Sequence, residues 1–155
     1  MEGAAGTLSI LVLGSGTSVG VPTIGCQCRV CRSTDPRDRR LRPSVLIRYN
    51  GRVVVVDTTP DFRQQALRAG LSRLDAVLFT HAHADHILGL DDIRPFNHLM
   101  GGPIPIYGSP ETLDTIRRVF DYVFADYQSE SSVPRLEVHE LDGRPFELFG
   151  LEVTP

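Results

Sequence analysis

A chain of 155 residues with 41% apolar side chains is long enough for one domain around a buried core. Its net charge is −3, and its 16 basic residues, all arginine, are outnumbered by 19 acidic ones. That balance argues against a nucleic-acid or membrane-surface binder. The opening MEGAAGTLSILVL has no basic start, and its apolar run is too short for a signal peptide or a membrane span. A first β-strand of a cytoplasmic protein is the expectation.

Leu8–Leu13 predicts that strand, followed by a loop containing Gly14, Gly16, Gly20 and Pro22. The stretch GSGTSVG superficially matches a dinucleotide fingerprint, but Val19 stands where the third glycine belongs and no helical pattern follows. A turn of small residues is the better reading. Ser44–Tyr49 and Arg52–Asp57 predict a hairpin across Asn50-Gly51. Thr59-Pro60-Asp61 predicts a helix with Thr59 as cap and Pro60 in its first turn, closed by Gly70. Ala76–Thr80 and Ile104–Tyr107 are further strands, and Ser109-Pro110-Glu111 opens a helix with Leu113, Ile116 and Phe120 at helical spacing. Leu136–Glu140, Phe146–Phe149 and Leu151–Val153 read as short strands around the turn Asp142-Gly143. Hairpins mixed with crossovers imply a layered α/β sandwich rather than an all-parallel sheet.

Two clusters carry the chemistry. Cys26, Cys28 and Cys31 lie within six residues, an odd number that does not suit a disulfide framework and points instead to metal ligation. The segment FTHAHADH places His81, His83, Asp85 and His86 where an apolar strand ends. Imidazoles and a carboxylate suit Zn²⁺, Mn²⁺ or Fe²⁺. His81 and His83, two apart in an extended segment, share a face and can hold one ion. Asp85 and His86, after a turn, are placed to hold a second. Two ions that share a hydroxide lower its pKa and hold both oxygens of a displacement on phosphorus.

The histidine segment resembles the signature of the metallo-β-lactamase-fold hydrolases. That resemblance implies an αββα sandwich, of which this chain would supply the N-terminal part: a mixed sheet with flanking helices. It also makes Asp57, at the end of RVVVVD, a support behind the metal ligands, and gives Asp85 a place in catalysis. The stretch GSGTSVGVPTIGCQCRVC is similar to the PhnP-like branch, cyclic-phosphate phosphodiesterases in which such cysteines bind a structural zinc. GLDDIRPFNH is typical of that branch. The resemblance implies two divalent ions, zinc or manganese, at the histidines and one structural zinc at the cysteines. It further implies that a later histidine, a bridging aspartate and a final histidine complete the site, so residues 1–155 are expected to be a domain incomplete at its C-terminus.

The expected activity is hydrolysis of a small, cyclic phosphodiester by a metal-activated hydroxide, with Arg94 and His98 as substrate contacts. A salt bridge from Arg94 to Asp91 or Asp92 is the competing role, and His139 reads as a strand surface residue. Hydrolysis of a thioester, lactone or β-lactam, or a non-catalytic metal-binding fragment, are the alternatives. The intact histidine motif argues against a related cofactor-biosynthesis branch whose motif is degraded. Neither nucleic acid nor membrane is expected as a partner, and a homodimer stays open.

Overall fold

The computed structural model describes residues 7–125 and 133–155. Six strands form one sheet in sequence order: β1 (Ser9–Gly14), β2 (Ser44–Tyr49), β3 (Arg52–Val56), β4 (Ala76–Leu78), β5 (Ile104–Gly108) and β6 (Leu136–Glu140). The first three are antiparallel and β3 to β6 run parallel, so the sheet is mixed as the patterning implied. The β2–β3 hairpin turns at Asn50-Gly51, with φ of 48° and 71°, the left-handed pair that a two-residue turn needs.

One face of the sheet packs on helices. Leu46, Val55, Val77 and Ile106 meet Phe62 and Ala66 of α1 (Phe62–Arg68) and Leu113 and Ile116 of α4 (Pro110–Val119). Ser109 caps α4 by accepting from the Thr112 amide at 3.3 Å, with Pro110 in the first turn, as its sequence predicts. α1 begins later than expected, at Phe62. Thr59 closes a separate turn first: its carbonyl accepts from the Phe62 amide and its hydroxyl from the Asp61 amide.

The other face carries the hairpin of β7 (Phe146–Leu148) and β8 (Leu151–Val153), joined at Phe149-Gly150. Leu148 is buried there against Tyr49, Val54 and Ala76, and the Tyr49 hydroxyl donates to the Leu148 carbonyl at 2.6 Å. Thus Asp142-Gly143 only leads from one sheet to the other, and the paired turn lies seven residues further on. Strands β3 and β4 are buried on both faces, which is why Val53–Val56 and Ala76-Val77 read as continuous apolar runs. The hairpin covers the centre of that face but not β1, whose Ile10 and Val12 are 65% and 57% exposed. The layers are helices, mixed sheet, then a short second sheet, in the order of an αββα sandwich. Among the described residues no helix is long and apolar enough to cross a membrane.

Candidate metal centre

Because β3 and β4 run parallel in register, both end at the same edge: β3 delivers Asp57, and β4 delivers Thr80 and His81. Asp57 leaves its strand with φ of 61°, and its amide donates to the Leu78 carbonyl at 2.9 Å. The carboxylate is thereby turned under the end of β4 and is 4% exposed. Its Oδ1 accepts from the Thr80 amide at 2.9 Å, and its Oδ2 accepts from the Thr80 hydroxyl and lies against His86 Nδ1, each at 2.7 Å. This explains why β4 stops at Leu78 and not at Thr80. The Phe79 amide still pairs with the Tyr107 carbonyl, but the Thr80 amide is taken by Asp57.

His83 stands in extended backbone just before α2 (Ala84–Ile87), so Asp85 and His86 occupy its first turn. The His81 ring is centred 4.0 Å from that of His86 and 4.5 Å from that of His83. His86 Nε2 faces Asp85 Oδ2 at 3.2 Å. All four predicted side chains are therefore gathered, though not around a single tight focus. Among the described residues, the trio whose donor atoms all lie within 4.8 Å of one another is the cysteine set.

The arrangement suits a cation. When His86 gives its Nδ1 hydrogen to buried Asp57 and carries no second one, its bare Nε2 lone pair faces the Asp85 carboxylate. Two acceptors 3.2 Å apart are satisfied only by a proton or a metal ion between them. Imidazole and carboxylate donors suit zinc and manganese.

The loop after α2 is held against the residues following Asp57. The Gly89 amide donates to the Thr58 carbonyl at 2.9 Å, and a Cβ at Gly89 would lie 1.9 Å from the Thr59 carbonyl oxygen. Only glycine permits that approach. Gly89 and Thr80 are the residues shaping this edge that sequence reading missed. Neither has metal-ligating chemistry, and the one available signal was their place at the two ends of the histidine motif.

Cys26, Cys28 and Cys31 sit in a turn supported from within. The Cys31 amide donates to Cys28 Sγ and the Thr23 amide to Cys31 Sγ, each at 3.4 Å. Led by the Cys31 amide and helped by the neighbouring thiols, Cys28 falls to about 7. For Cys26 the Cys28 amide acts downward, but the Cys28 and Cys31 thiols outweigh it and hold its pKa above the ordinary range. Three sulfurs this close fit one tetrahedral zinc, whose Zn–S bonds are about 2.3 Å.

Arg94 begins α3 (Arg94–Met100) and makes the competing ion pair, to Asp91 Oδ2 at 2.8 Å. Together with His98, Pro95, Leu99, Asp91 and Asp92 it lines a depression of about 480 Å³, to which the histidine cluster contributes no residue. His139 lies half-buried on β6, stacked on Tyr107 with ring centroids 4.6 Å apart. Its Nε2 sits 3.0 Å from Glu137 Oε1, but without the alignment of a hydrogen bond.

Residues 52–155 match the family described as Beta-lactamase superfamily domain. The chain belongs to that superfamily. Among solved structures it is similar to a diphosphatase from the PhnP family, with TM-score 0.85, 49% identity, and coverage of 96% of this chain and 57% of that one. It is also similar to Zn²⁺-bound PqqB from Methylobacterium extorquens, with TM-score 0.67, 29% identity, and coverage of 91% and 48%. An octanoyltransferase of Porphyromonas gingivalis is 46% identical over 147 residues, which is 94% of this chain and 29% of that protein. The chain thus spans less than a third of that relative and about half of PqqB. The PhnP-family neighbour agrees with the branch that the cysteine and GLDDIRPFNH stretches resemble.

Proposed function

We propose that this superfamily member is a metal-dependent hydrolase of phosphorus–oxygen bonds, acting on a small phosphodiester. The observation that carries the reading is the chain of contacts from buried Asp57 through His86 to Asp85, beside His81 and His83, at the edge where parallel strands end. His81 and His83 would hold one divalent ion, Asp85 and His86 a second. Such ions supply an acidified water and neutralise charge at the reacting phosphate. Asp57 keeps the His86 ring in place and its Nδ1 hydrogen committed, which leaves Nε2 for the metal. Cys26, Cys28 and Cys31 would hold a separate structural zinc. Arg94, fixed by Asp91, and His98 would meet a substrate oxygen only where the substrate reaches their depression.

The 49% identity to a PhnP-family diphosphatase favours a second reading, in which the bond cut is a P–O–P anhydride. The octanoyltransferase relative would favour acyl chemistry, but this chain spans only 29% of it. Rates of the zinc- and manganese-loaded protein on bis(p-nitrophenyl) phosphate, a pyrophosphate diester, a thioester and nitrocefin separate these readings. Turnover of the phosphodiester, abolished by chelation and restored by metal, is the expected result. Turnover of the pyrophosphate diester alone selects the second reading, and turnover of nitrocefin or the thioester alone overturns both.

A further inference from the structure

We infer that Thr80 sets the tautomer of His81, and that one carboxylate, Asp57, thereby readies both imidazoles for metal, His86 directly and His81 through Thr80. The inference rests on the reading of the histidine cluster as a metal site. Three contacts carry it. The Thr80 Oγ1 atom lies 2.7 Å from Asp57 Oδ2, 3.0 Å from His81 Nδ1 and 3.5 Å from His86 Nδ1. Asp57 Oδ2 also lies 2.7 Å from His86 Nδ1.

A hydroxyl has one hydrogen to give, and an ionised carboxylate can only accept. The Thr80 hydrogen therefore goes to Asp57, because otherwise two bare oxygens would face each other at 2.7 Å. Once that hydrogen is committed, Thr80 Oγ1 can only accept from His81. His81 Nδ1 must then carry a hydrogen, and in the neutral ring Nε2 presents a lone pair. His86 reaches the same state by a different route, donating Nδ1–H straight to Asp57. Both directions end on one buried carboxylate, so Asp57 orders two rings, the nearer through its own oxygen and the other through Thr80. His83 is outside this relay: among the described residues no hydrogen bond reaches its ring. Thr80 is exposed, and its amide bond to Asp57 Oδ1 does not depend on the side chain, so removing the hydroxyl leaves the backbone connection in place. It is a positioning residue that acts through His81.

The test is nitrogen NMR of the metal-free protein labelled with ¹⁵N-histidine, comparing wild type, Thr80→Val and Thr80→Ser, followed by zinc titration read on the His81 and His86 resonances. Reading zinc there separates this site from the thiols. In wild type and T80S, His81 and His86 should both be Nδ1–H tautomers. In T80V, His81 should shift to a mixture rich in Nε2–H while His86 stays unchanged, and zinc affinity should fall about tenfold. An unchanged His81 tautomer in T80V, or loss of affinity that T80S does not restore, overturns the inference. If wild type takes up no zinc at these rings, the metal reading fails instead, and the tautomer comparison still decides the role of Thr80.

Discussion

The histidine cluster and the cysteine turn use opposite means to place metal-ligating side chains. The histidines are braced from the core. Asp57 is buried, is reached from two strand ends, and transmits the position of the sheet to His86 and to Thr80. The cysteines are braced by each other and by amides a few residues away, on a loop where Cys28 is exposed and Ile24 is 98% exposed. A site built into a sheet edge inherits the rigidity of the sheet and suits catalysis, where small displacements are costly. A site built from one turn needs its ion to hold its shape, which suits structural zinc.

The largest effect expected from this contrast is that of His83→Ala. Phosphodiester hydrolysis should fall to the rate of buffer, while stability changes by no more than about 0.5 kcal/mol because His83 is exposed. Denaturant titration beside the rate assay checks both halves. Asp57→Ala comes next, with zinc affinity at the histidines lower by about 10–100-fold. Unlike H83A it should also lower unfolding stability by about 1–3 kcal/mol, since the Thr80 amide and His86 lose a buried acceptor. Equal stability of the two variants would break the comparison.

Cys28→Ser should remove one equivalent of zinc from the protein and leave hydrolysis and the histidine resonances nearly unchanged. If the histidine site loses metal as well, the two regions are not independent. The smallest effect is on thiol reactivity in the metal-free protein. Because the Cys31 amide holds Cys28 at about 7, its thiolate forms as pH rises through that value, and alkylation should reach half its maximal rate there. Cys26, held above the ordinary thiol range, should react only at higher pH. Mass mapping of iodoacetamide adducts between pH 6 and pH 9 gives the order, the range being set by ordinary thiol values of about 8.5.

What could be read before the fold was known follows the range of the forces involved. The Asn50-Gly51 hairpin and the Ser109-Pro110 helix start are decided by neighbouring residues, and both appear. Spacing alone brings His81, His83, Asp85 and His86 to one strand end, but distant Asp57 decides how His86 is held there. The sequence places the start of α1 too early because Thr59 caps a turn and not the helix itself. The sequence reads Phe149 as the end of a strand and does not show the Phe149-Gly150 turn, because a bulky residue rarely takes positive φ. Here Phe149 does so with the Arg52 guanidinium 4.9 Å above its ring, a contact between residues nearly a hundred apart in the chain. Thr80 and Gly89 act through partners that only the fold supplies.

Asp57 shows what such a site leaves to chance at one position. Its backbone lies in the left-handed region, which aspartate, asparagine and glycine enter most readily. Glycine would fit that backbone but offers no oxygen to Thr80 or His86. Asparagine would fit it with a carbonyl oxygen at one terminus, but the amide at the other cannot accept. Glutamate would keep the charge but adds a methylene where the side chain is already enclosed. Backbone, charge and length thus each eliminate different residues, and aspartate is what survives all three. A library randomised at codon 57 and selected for metal-dependent hydrolysis should return to a single amino acid, whereas position 83, exposed and conformationally ordinary, should be limited by metal-ligating chemistry alone.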